Sequence, residues 1–294
     1  MDTHAPTVTV GPDMSPELFV DVSATLRSLG VTVKTDSHVA GRALGRVIVV
    51  ISPKGGSGKT AVSSNLAVAL AQRNPGRVAA VDLDVQFGDL ALALSLTPQR
   101  TLAQLARSAE IDATSTKVHL TPSPHKLFLL AGASDPVDAE SIRDEHVAAM
   151  LPLLAQSFDY VVVDTPAGLD ELTLAALDCA TDVLLVSSLD VTSIRSLRTA
   201  NDALDHIGIT AQRTMLLNRA DSKVGLDPSD AEDAMGMSIA CSIPSSRSVP
   251  MSLNLGNPVV TSEPKSNVAK KLQELAEIFS PVTSNTTTKK GWRR

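Results

Sequence analysis

The feature that most constrains this chain is a short apolar run that leads directly into a glycine-rich loop. Residues 47–51 read Val-Ile-Val-Val-Ile, which is typical of a strand covered on both faces. Three glycines follow within seven residues, and helical spacing then runs from Thr60 to about Arg73. Strand, glycine loop and helix in this order predict an anion site, because backbone N–H groups and the helix N-terminus converge on one point.

The residues of this loop suit a nucleoside triphosphate with Mg²⁺. Lys59 is placed to reach the β- and γ-phosphates, and the Thr60 hydroxyl is placed to bind Mg²⁺. A glycine turn with incidental lysines is the alternative, but the flanking strand and helix argue against it. The loop residues predicted to bind the nucleotide are Gly55, Gly56, Ser57, Gly58, Lys59, Thr60 and Ala61.

Beyond the loop, the chain alternates short apolar strands with helical segments. Strands are expected at 78–81, 126–130, 160–163, 183–186 and 214–217. Helices are expected between them, including 138–156, 192–206, 229–235 and 265–279. This alternation predicts an α/β fold with a doubly wound, mainly parallel sheet and helices on both faces. In such sheets ligands bind at the carboxyl ends of the strands, where 52–60, 82–89 and 164–168 all fall.

Aspartates that follow two of these strands are candidates for the chemistry. Asp164 ends the strand at 160–163 and is interpreted as a Mg²⁺ ligand, although a helix-capping role is the alternative. Asp82 and Asp84 end the strand at 78–81. We expect their side chains to point to opposite faces of the sheet, so that only one faces the phosphates squarely. Asp89 is interpreted as a surface residue, with a switch role left open.

The loop also departs from the common phosphate-loop pattern. Pro53 stands where that pattern has glycine, and a second lysine, Lys54, opens the run Lys-Gly-Gly-Ser-Gly-Lys-Thr. In this the chain resembles the MinD and ParA family of deviant Walker A ATPases, over about residues 46–280. The resemblance implies that Lys54 reaches across a dimer interface to the partner's nucleotide. It also implies Lys54, Lys59 and Asp84 as catalytic residues, with Asp84 activating water, and Thr60, Asp82 and Asp164 around Mg²⁺.

A further motif, Asn218-Arg219-Ala220-Asp221, follows the strand at 214–217. The resemblance implies that Asn218 hydrogen-bonds adenine, with Arg219 as a neighbouring nucleotide contact. The tetrapeptide also differs by one residue from the Asn-Lys-x-Asp guanine signature. ATP with Mg²⁺ is the expected cofactor because the other motifs match the ATP-binding branch, and GTP stays open.

Two longer stretches look most like the pilus-assembly localisation ATPases CpaE and TadZ: Asp82–Leu92 and Asn218–Leu226. This resemblance implies a homodimer formed on ATP binding that hydrolyses ATP slowly. The dimer would position a Tad-type pilus or secretion assembly through an unidentified protein partner. The alternatives are a ParA-like DNA-partitioning ATPase and a MinD-like septum-site ATPase. A DNA patch would use Arg195, Arg198 and Arg213, for which a solvated helix face is the preferred interpretation.

Charge and composition bear on partners and location. A formal net charge of −6 argues against overall attraction to nucleic acid or anionic lipid. Cys179 and Cys241 lie far apart, and neither a signal peptide nor a membrane-length apolar run is apparent. We therefore expect a cytoplasmic protein, recruited at most to the inner face of the membrane or a pole. The apolar stripe within 265–279 is expected to pack against the sheet, leaving at most weak membrane contact.

The sequence predicts three regions. Residues 1–45 form a βαβ-like segment, with strands at 7–10 and 31–33 around a helix from Ser15 to about Leu29. This segment is interpreted as a remnant of the receiver-like domain of CpaE and TadZ, although forty-five residues cannot hold a complete receiver. Residues 46–280 form the ATPase domain. The polar tail at 281–294 is expected to be disordered.

Overall fold

The computed structural model describes residues 7–10, 32–35, 43–221 and 225–280 of the chain. In the first two ranges the backbone forms strands β1 (Thr7–Val10) and β2 (Thr32–Thr35), which pair in parallel as a separate two-stranded sheet. The two strands predicted near the N-terminus are therefore present. The predicted helix between them and the predicted tail at 281–294 lie outside the described residues.

The main sheet has eight strands in the order β10-β9-β8-β3-β7-β4-β6-β5. All neighbouring strands run parallel except β5, which is antiparallel to β6. This confirms the predicted mainly parallel sheet. Its strands are β3 (Arg46–Ile51), β4 (Val78–Asp82), β5 (Thr121–Pro122), β6 (Phe128–Leu130), β7 (Tyr160–Asp164), β8 (Asp182–Ser188), β9 (Gln212–Asn218) and β10 (Ile239–Ile243).

Twelve helices are described within 43–221 and 225–280. They are α1 (Lys59–Arg73), α2 (Leu90–Ala93), α3 (Leu102–Ala106), α4 (Ala113–Val118), α5 (Pro136–Ala139), α6 (Asp144–Ser157), α7 (Glu171–Asp178), α8 (Val191–His206), α9 (Pro228–Met235), α10 (Ser248–Asn254), α11 (Val259–Ser262) and α12 (Asn267–Phe279). None of these helices is long and apolar enough to cross a membrane.

The helices cover both faces of the sheet, and strand β3 shows why. Its residues alternate between two cores: Val47, Val49 and Ile51 belong to one, and Ile48 and Val50 to the other. One core is completed mainly by α3 and α6 to α9, the other by α1, α2, α11 and α12. A central parallel strand must be apolar throughout because both of its faces are buried.

The apolar stripe of α12 packs into the second core, as predicted. Val268, Leu272, Leu275 and Phe279 are each at most 3% exposed. The apolar face of the helix is therefore buried against the rest of the protein and is not available to a membrane.

Two parts of the fold differ from the sequence prediction. The structure has two helices, α5 and α6, where one was expected over 138–156. Each has its own N-cap residue, Asp135 for α5 and Arg143 for α6. Asp135 accepts hydrogen bonds from the N–H groups of Val137 and Asp138 and starts α5. The His146 ring accepts the N–H of Arg143 at the start of α6. The edge strand β5 was not assigned from the sequence.

Candidate nucleotide-binding site

The phosphate loop (residues 52–58) leaves the carboxyl end of β3, which lies between β7 and β8 at the centre of the sheet. The loop turns through left-handed conformations at Gly56 and Gly58, with φ of 75° and 95°. Gly58 is the N-cap residue that immediately precedes α1. A side chain at Gly58 would be strained by this φ, and its Cβ would lie 2.4 Å from Asn218 Nδ2, so that the Asn218 side chain would have to move.

Lys59 lies almost fully inside the site rather than in solvent, with 8% of its surface exposed. Burial lowers the pKa of Lys59, while the nearby charges of Asp164 and Asp84 act in the opposite direction. The lysine therefore lies near these two carboxylates. Asp164 is at the end of β7, and Asp84 lies just beyond the end of β4. The lysine predicted to bind phosphate thus lies close enough to two of the predicted carboxylates to interact with them electrostatically.

Asp164 is completely buried and only half satisfied. Its Oδ1 accepts a hydrogen bond of 2.8 Å from the Ser63 hydroxyl, and its Oδ2 has no hydrogen-bond partner among the described residues. Burial raises the pKa of Asp164 to about 6, against the lowering effects of the Thr60 and Ser63 hydroxyls and of Lys59. An unpartnered buried carboxylate oxygen is costly and calls for a ligand.

These residues fit a magnesium ion. The free Oδ2 of Asp164 and the Thr60 hydroxyl are oxygen donors of the kind that Mg²⁺ prefers. Among the described residues there is no cluster of three or more His, Cys, Asp or Glu side chains that could hold a metal by itself. A magnesium ion here would take its other ligands from phosphate and water, which is its usual behaviour in nucleotide sites.

Asp82 holds the loop that follows β4. Its Oδ1 accepts the N–H of Asp84 and its Oδ2 accepts the N–H of Leu90, each at 3.1 Å. Burial and the adjacent Asp164 raise the pKa of Asp82 well above its ordinary value. Gly88 packs directly on this carboxylate, since a Cβ there would lie about 2.4 Å from Asp82 Oδ2. These contacts show that Asp82 supports the loop that follows β4, and its predicted place in the magnesium site stays a prediction.

The expectation that Asp82 and Asp84 face opposite sides of the sheet is wrong. Residues two apart along a strand share a face, and β4 in any case ends at Asp82. Asp82 pairs in register with Asp164 on β7, and the charge of Asp84 acts on Lys59, Asp82 and Asp164 alike. All three carboxylates therefore face the same edge of the sheet.

A cleft of about 700 Å³ opens beside Asp84, between the loop after β4 and residues 131–136. Phe87 stands at its rim with 77% of its surface exposed. Residues 52–60 do not line this cleft. It therefore lies on the Asp84 side of the site, across the sheet edge from Asn218. Asp89 also borders it, so its surface interpretation stays a prediction.

Lys54 is exposed to solvent, and its ammonium group contacts the first turn of α8. Its Nζ donates to Asp190 Oδ1 at 3.1 Å and to Thr192 Oγ1 at 2.8 Å. Burial alone would raise the pKa of Asp190, but hydrogen bonds from Ser193, Thr192 and Lys54 lower it below its ordinary value. To reach a second molecule, Lys54 would have to leave this partner.

The segment after Asp164 is tied to β3 and to the phosphate loop. The Thr165 hydroxyl donates to Val50 O at 2.8 Å, and the Gly168 N–H donates to Ser52 O at 3.3 Å. Gly168 is in the left-handed region, with φ of 97°. This segment and the phosphate loop therefore share a hydrogen bond that a change in either one would affect.

Asn218 and Arg219 contact the phosphate loop from the β9 side. Asn218 Nδ2 donates to Ser57 O at 2.8 Å, and Arg219 Nη2 donates to Gly56 O at 2.9 Å. Asn218 Oδ1 accepts the N–H of Arg219. A side-chain amide can donate two hydrogen bonds and accept two, so Asn218 keeps one donor and one acceptor for a base.

The sequence analysis missed several residues that complete the site. Ser63 lies one helical turn after Thr60, and spacing by three on a helix puts both on one face. Asp190 and Thr192 follow β8, so the rule that ligands gather at the carboxyl ends of strands also applied to them. Ser188, which accepts a hydrogen bond from Arg219, is the last residue of β8, so the same rule also applied to it.

Comparison with known proteins gives consistent relatives. Residues 45–215 match the family model AAA_31, described as an AAA domain. The septum site-determining protein MinD of Thermotoga maritima is 28% identical over 244 residues, which span 79% of this chain and 87% of that protein.

Solved structures agree in fold. The Pyrococcus furiosus cell division ATPase MinD is 29% identical, with a TM-score of 0.73 over 81% of this chain and 99% of that one. MinD of Pyrococcus horikoshii, complexed with Mg-ADP, is 25% identical, with a TM-score of 0.73 over 82% of this chain and 98% of that one.

Proposed function

This chain belongs to the AAA domain family of MinD/ParA-type P-loop ATPases, and from that premise we propose that it is an ATP-dependent dimerisation switch of the MinD type. One observation carries the proposal. The buried Lys59 and the buried Asp164, with its unpartnered Oδ2, stand together at the start of α1. A cation and a free carboxylate oxygen beside a glycine loop are what a magnesium–triphosphate requires.

ATP with Mg²⁺ is the cofactor, and a MinD relative has been solved with Mg-ADP. Thr60 and Asp164 would hold the ion, which when bound neutralises charge on the phosphates. Lys59 would bind the β- and γ-phosphates. Asp84, whose charge acts on Lys59, would orient the attacking water, while Asp82 keeps the loop around Asp84 in place.

Dimerisation would use Lys54. We assign to it the contact with the nucleotide of a second copy, which requires its release from Asp190 and Thr192. Hydrolysis would then be slow in the monomer and would depend on the dimer, because one cationic group at the phosphates comes from the partner. Asn218, with one donor and one acceptor free, would read the adenine.

Among the branches of the family, the MinD reading is better supported than the pilus reading. The named relatives are septum-site and cell-division proteins. The CpaE and TadZ resemblance rests on the two stretches at 82–92 and 218–226, and positioning of a pilus assembly is kept as the second candidate. In either case the output is the positioning of a cell-envelope or division assembly by a protein partner, at the inner face of the membrane or a pole.

The arginines proposed for a DNA-binding patch give the ParA-like alternative little support. Arg198 forms an ion pair with Asp202 and also donates to Met235 O. Arg213 forms an ion pair with Asp205 and donates to the backbone and side chain of Asn201. Two of the three candidate cations are thus engaged within the chain, and the net charge is −6.

The experiment is a titration of purified protein with Mg-ATP, alongside Lys59→Ala, followed by a DNA-binding assay with ATP across a salt series. We expect the wild type to bind and hydrolyse ATP and Lys59→Ala to bind none. We expect DNA to bind weakly or not at all. Binding to DNA that is tight at low salt and weakens steeply as salt rises would favour the ParA-like function instead. Equal ATP binding by both proteins would refute the assigned site.

A further inference from the structure

We propose that Arg219 is a positioning residue of the phosphate loop, holding its peptide planes so that their N–H groups face the triphosphate. The inference rests on the proposed function and assigns a role within the same site. Arg219 Nη2 donates to Gly56 O at 2.9 Å and to Ser188 Oγ at 2.7 Å. Next to it, Asn218 Nδ2 donates to Ser57 O at 2.8 Å. Two consecutive carbonyl groups of the loop are therefore held from the β9 side.

The orientation of these carbonyl groups fixes that of the neighbouring amides. The described part of the chain contains no cis peptide bonds, and in a trans peptide the C=O of one residue points opposite to the N–H of the next. With Gly56 O turned toward Arg219, the N–H of Ser57 points away from it. With Ser57 O turned toward Asn218, the N–H of Gly58 likewise points away.

The side of the loop that faces away from Arg219 is the side on which Asp164 and Asp84 lie. In the sheet, β9 and β8 lie on one side of β3, while β7 and β4 lie on the other. The ends of β7 and β4 carry Asp164 and, just beyond, Asp84, both close enough to act on Lys59. The two amide groups are thus turned toward the group of residues that would surround the γ-phosphate. Successive N–H groups turned to one side form an anion-binding concavity.

The backbone of Arg219 indicates that its placement is enforced. Its φ of 55° lies in the left-handed region, which is unfavourable for a residue other than glycine. The conformation is held by the hydrogen bond from its N–H to Asn218 Oδ1 at 3.0 Å. Ser188 and Asn218 are register partners at the ends of β8 and β9. The guanidinium is therefore supported by two adjacent strand ends while it reaches the loop.

The test compares three ligands: Mg-ATP, Mg-GTP and magnesium tripolyphosphate, each measured by competition against a fluorescent ATP analogue. A residue that acts through the loop affects phosphate binding and leaves base selection unchanged. We expect Arg219→Ala to weaken all three ligands by the same factor, about tenfold, because its charge-assisted hydrogen bond to the loop carbonyl of Gly56 is lost. Arg219→Lys keeps the positive charge but replaces the planar guanidinium by a single ammonium group. We expect this variant to recover part of the affinity.

The matched control is Arg213→Ala, which removes a hydrogen-bonded arginine within β9. Arg213 is bound to Asn201, Ile209 O and Asp205 rather than to the loop. It should bind all three ligands as the wild type does, and thermal unfolding without nucleotide should be similar for the two alanine variants. The inference is overturned if Arg219→Ala changes the ratio of ATP to GTP affinity, or leaves tripolyphosphate binding within twofold of the wild type. If the wild type binds neither ATP nor tripolyphosphate, the proposed function itself fails.

Discussion

Replacing Asp164 by asparagine should make the nucleotide-free protein more stable at neutral pH while removing its response to magnesium and ATP. Burial raises the pKa of Asp164 from an ordinary 3.8 to about 6. Below pH 3.8 the carboxyl is protonated in both folded and unfolded chains. Between pH 3.8 and 6 the unfolded chain ionises first, so stability falls as pH rises. Above pH 6 the folded state carries the full penalty, which is about 3 kcal/mol.

The assay is urea unfolding of the wild type and Asp164→Asn at pH 4 to 8, in EDTA without nucleotide. The amide oxygen of asparagine can still accept the Ser63 hydrogen bond, so the variant loses the charge and little else. We expect the variant to be more stable by about 2–3 kcal/mol at pH 7.5, with a difference that vanishes near pH 4. Adding Mg-ATP should stabilise the wild type alone. The control is Asp89→Asn, which removes the same charge from an exposed aspartate. It should change the free energy of unfolding by less than about 0.5 kcal/mol.

An Asp164→Asn protein that is equally stable or less stable at pH 7.5 would refute this reasoning. So would a difference that does not shrink on acidification. Either result would mean that other groups of the nucleotide-free protein already stabilise the Asp164 charge, so that the carboxylate does not need a bound cation.

Three further predictions concern the loop and its surroundings. Gly58→Ala should weaken ATP binding by at least about tenfold in a titration, because its Cβ would collide with Asn218 Nδ2 in a backbone that disfavours alanine; unchanged binding would mean that the loop has another shape. Asp190→Asn should lower the ATP concentration needed for half-maximal dimerisation by up to about fivefold, since the Lys54 pair is partly exposed and worth under about 1 kcal/mol. Light scattering during an ATP titration measures this, and an increase would contradict it. Asp84→Ala should bind ATP as the wild type does but turn it over far more slowly, and wild-type turnover would exclude Asp84 as the water-activating residue.

The sequence predicted the fold well because its parallel strands are buried on both faces. A run such as 47–51 has to be apolar throughout, and that pattern is visible without a structure. The edge strand β5 was not assigned, because it is only two residues long and its residues are not fully buried. The split between α5 and α6 was also not assigned, since both segments are helical and only local capping separates them.

The site was predictable at the level of residue types and less so at the level of contacts. Lys59 and Asp164 interact in the structure because parallel strands bring their carboxyl ends together, while their roles in binding stay predictions. The error on Asp82 and Asp84 concerned which faces they occupy, which strand geometry decides. The bond from Lys54 to Asp190 joins residues 136 positions apart, and no local pattern in the sequence indicates it.

The central claim is that a triphosphate held by the loop joins two copies of the chain. The most direct test is the mass of the particle in solution, measured by light scattering with and without Mg-ATP, on the wild type and on Asp84→Ala. We predict monomers of about 31 kDa without nucleotide, a dimer with ATP that decays in the wild type as ATP is consumed, and a dimer that persists in Asp84→Ala. The same mass with and without ATP in both proteins would contradict the account.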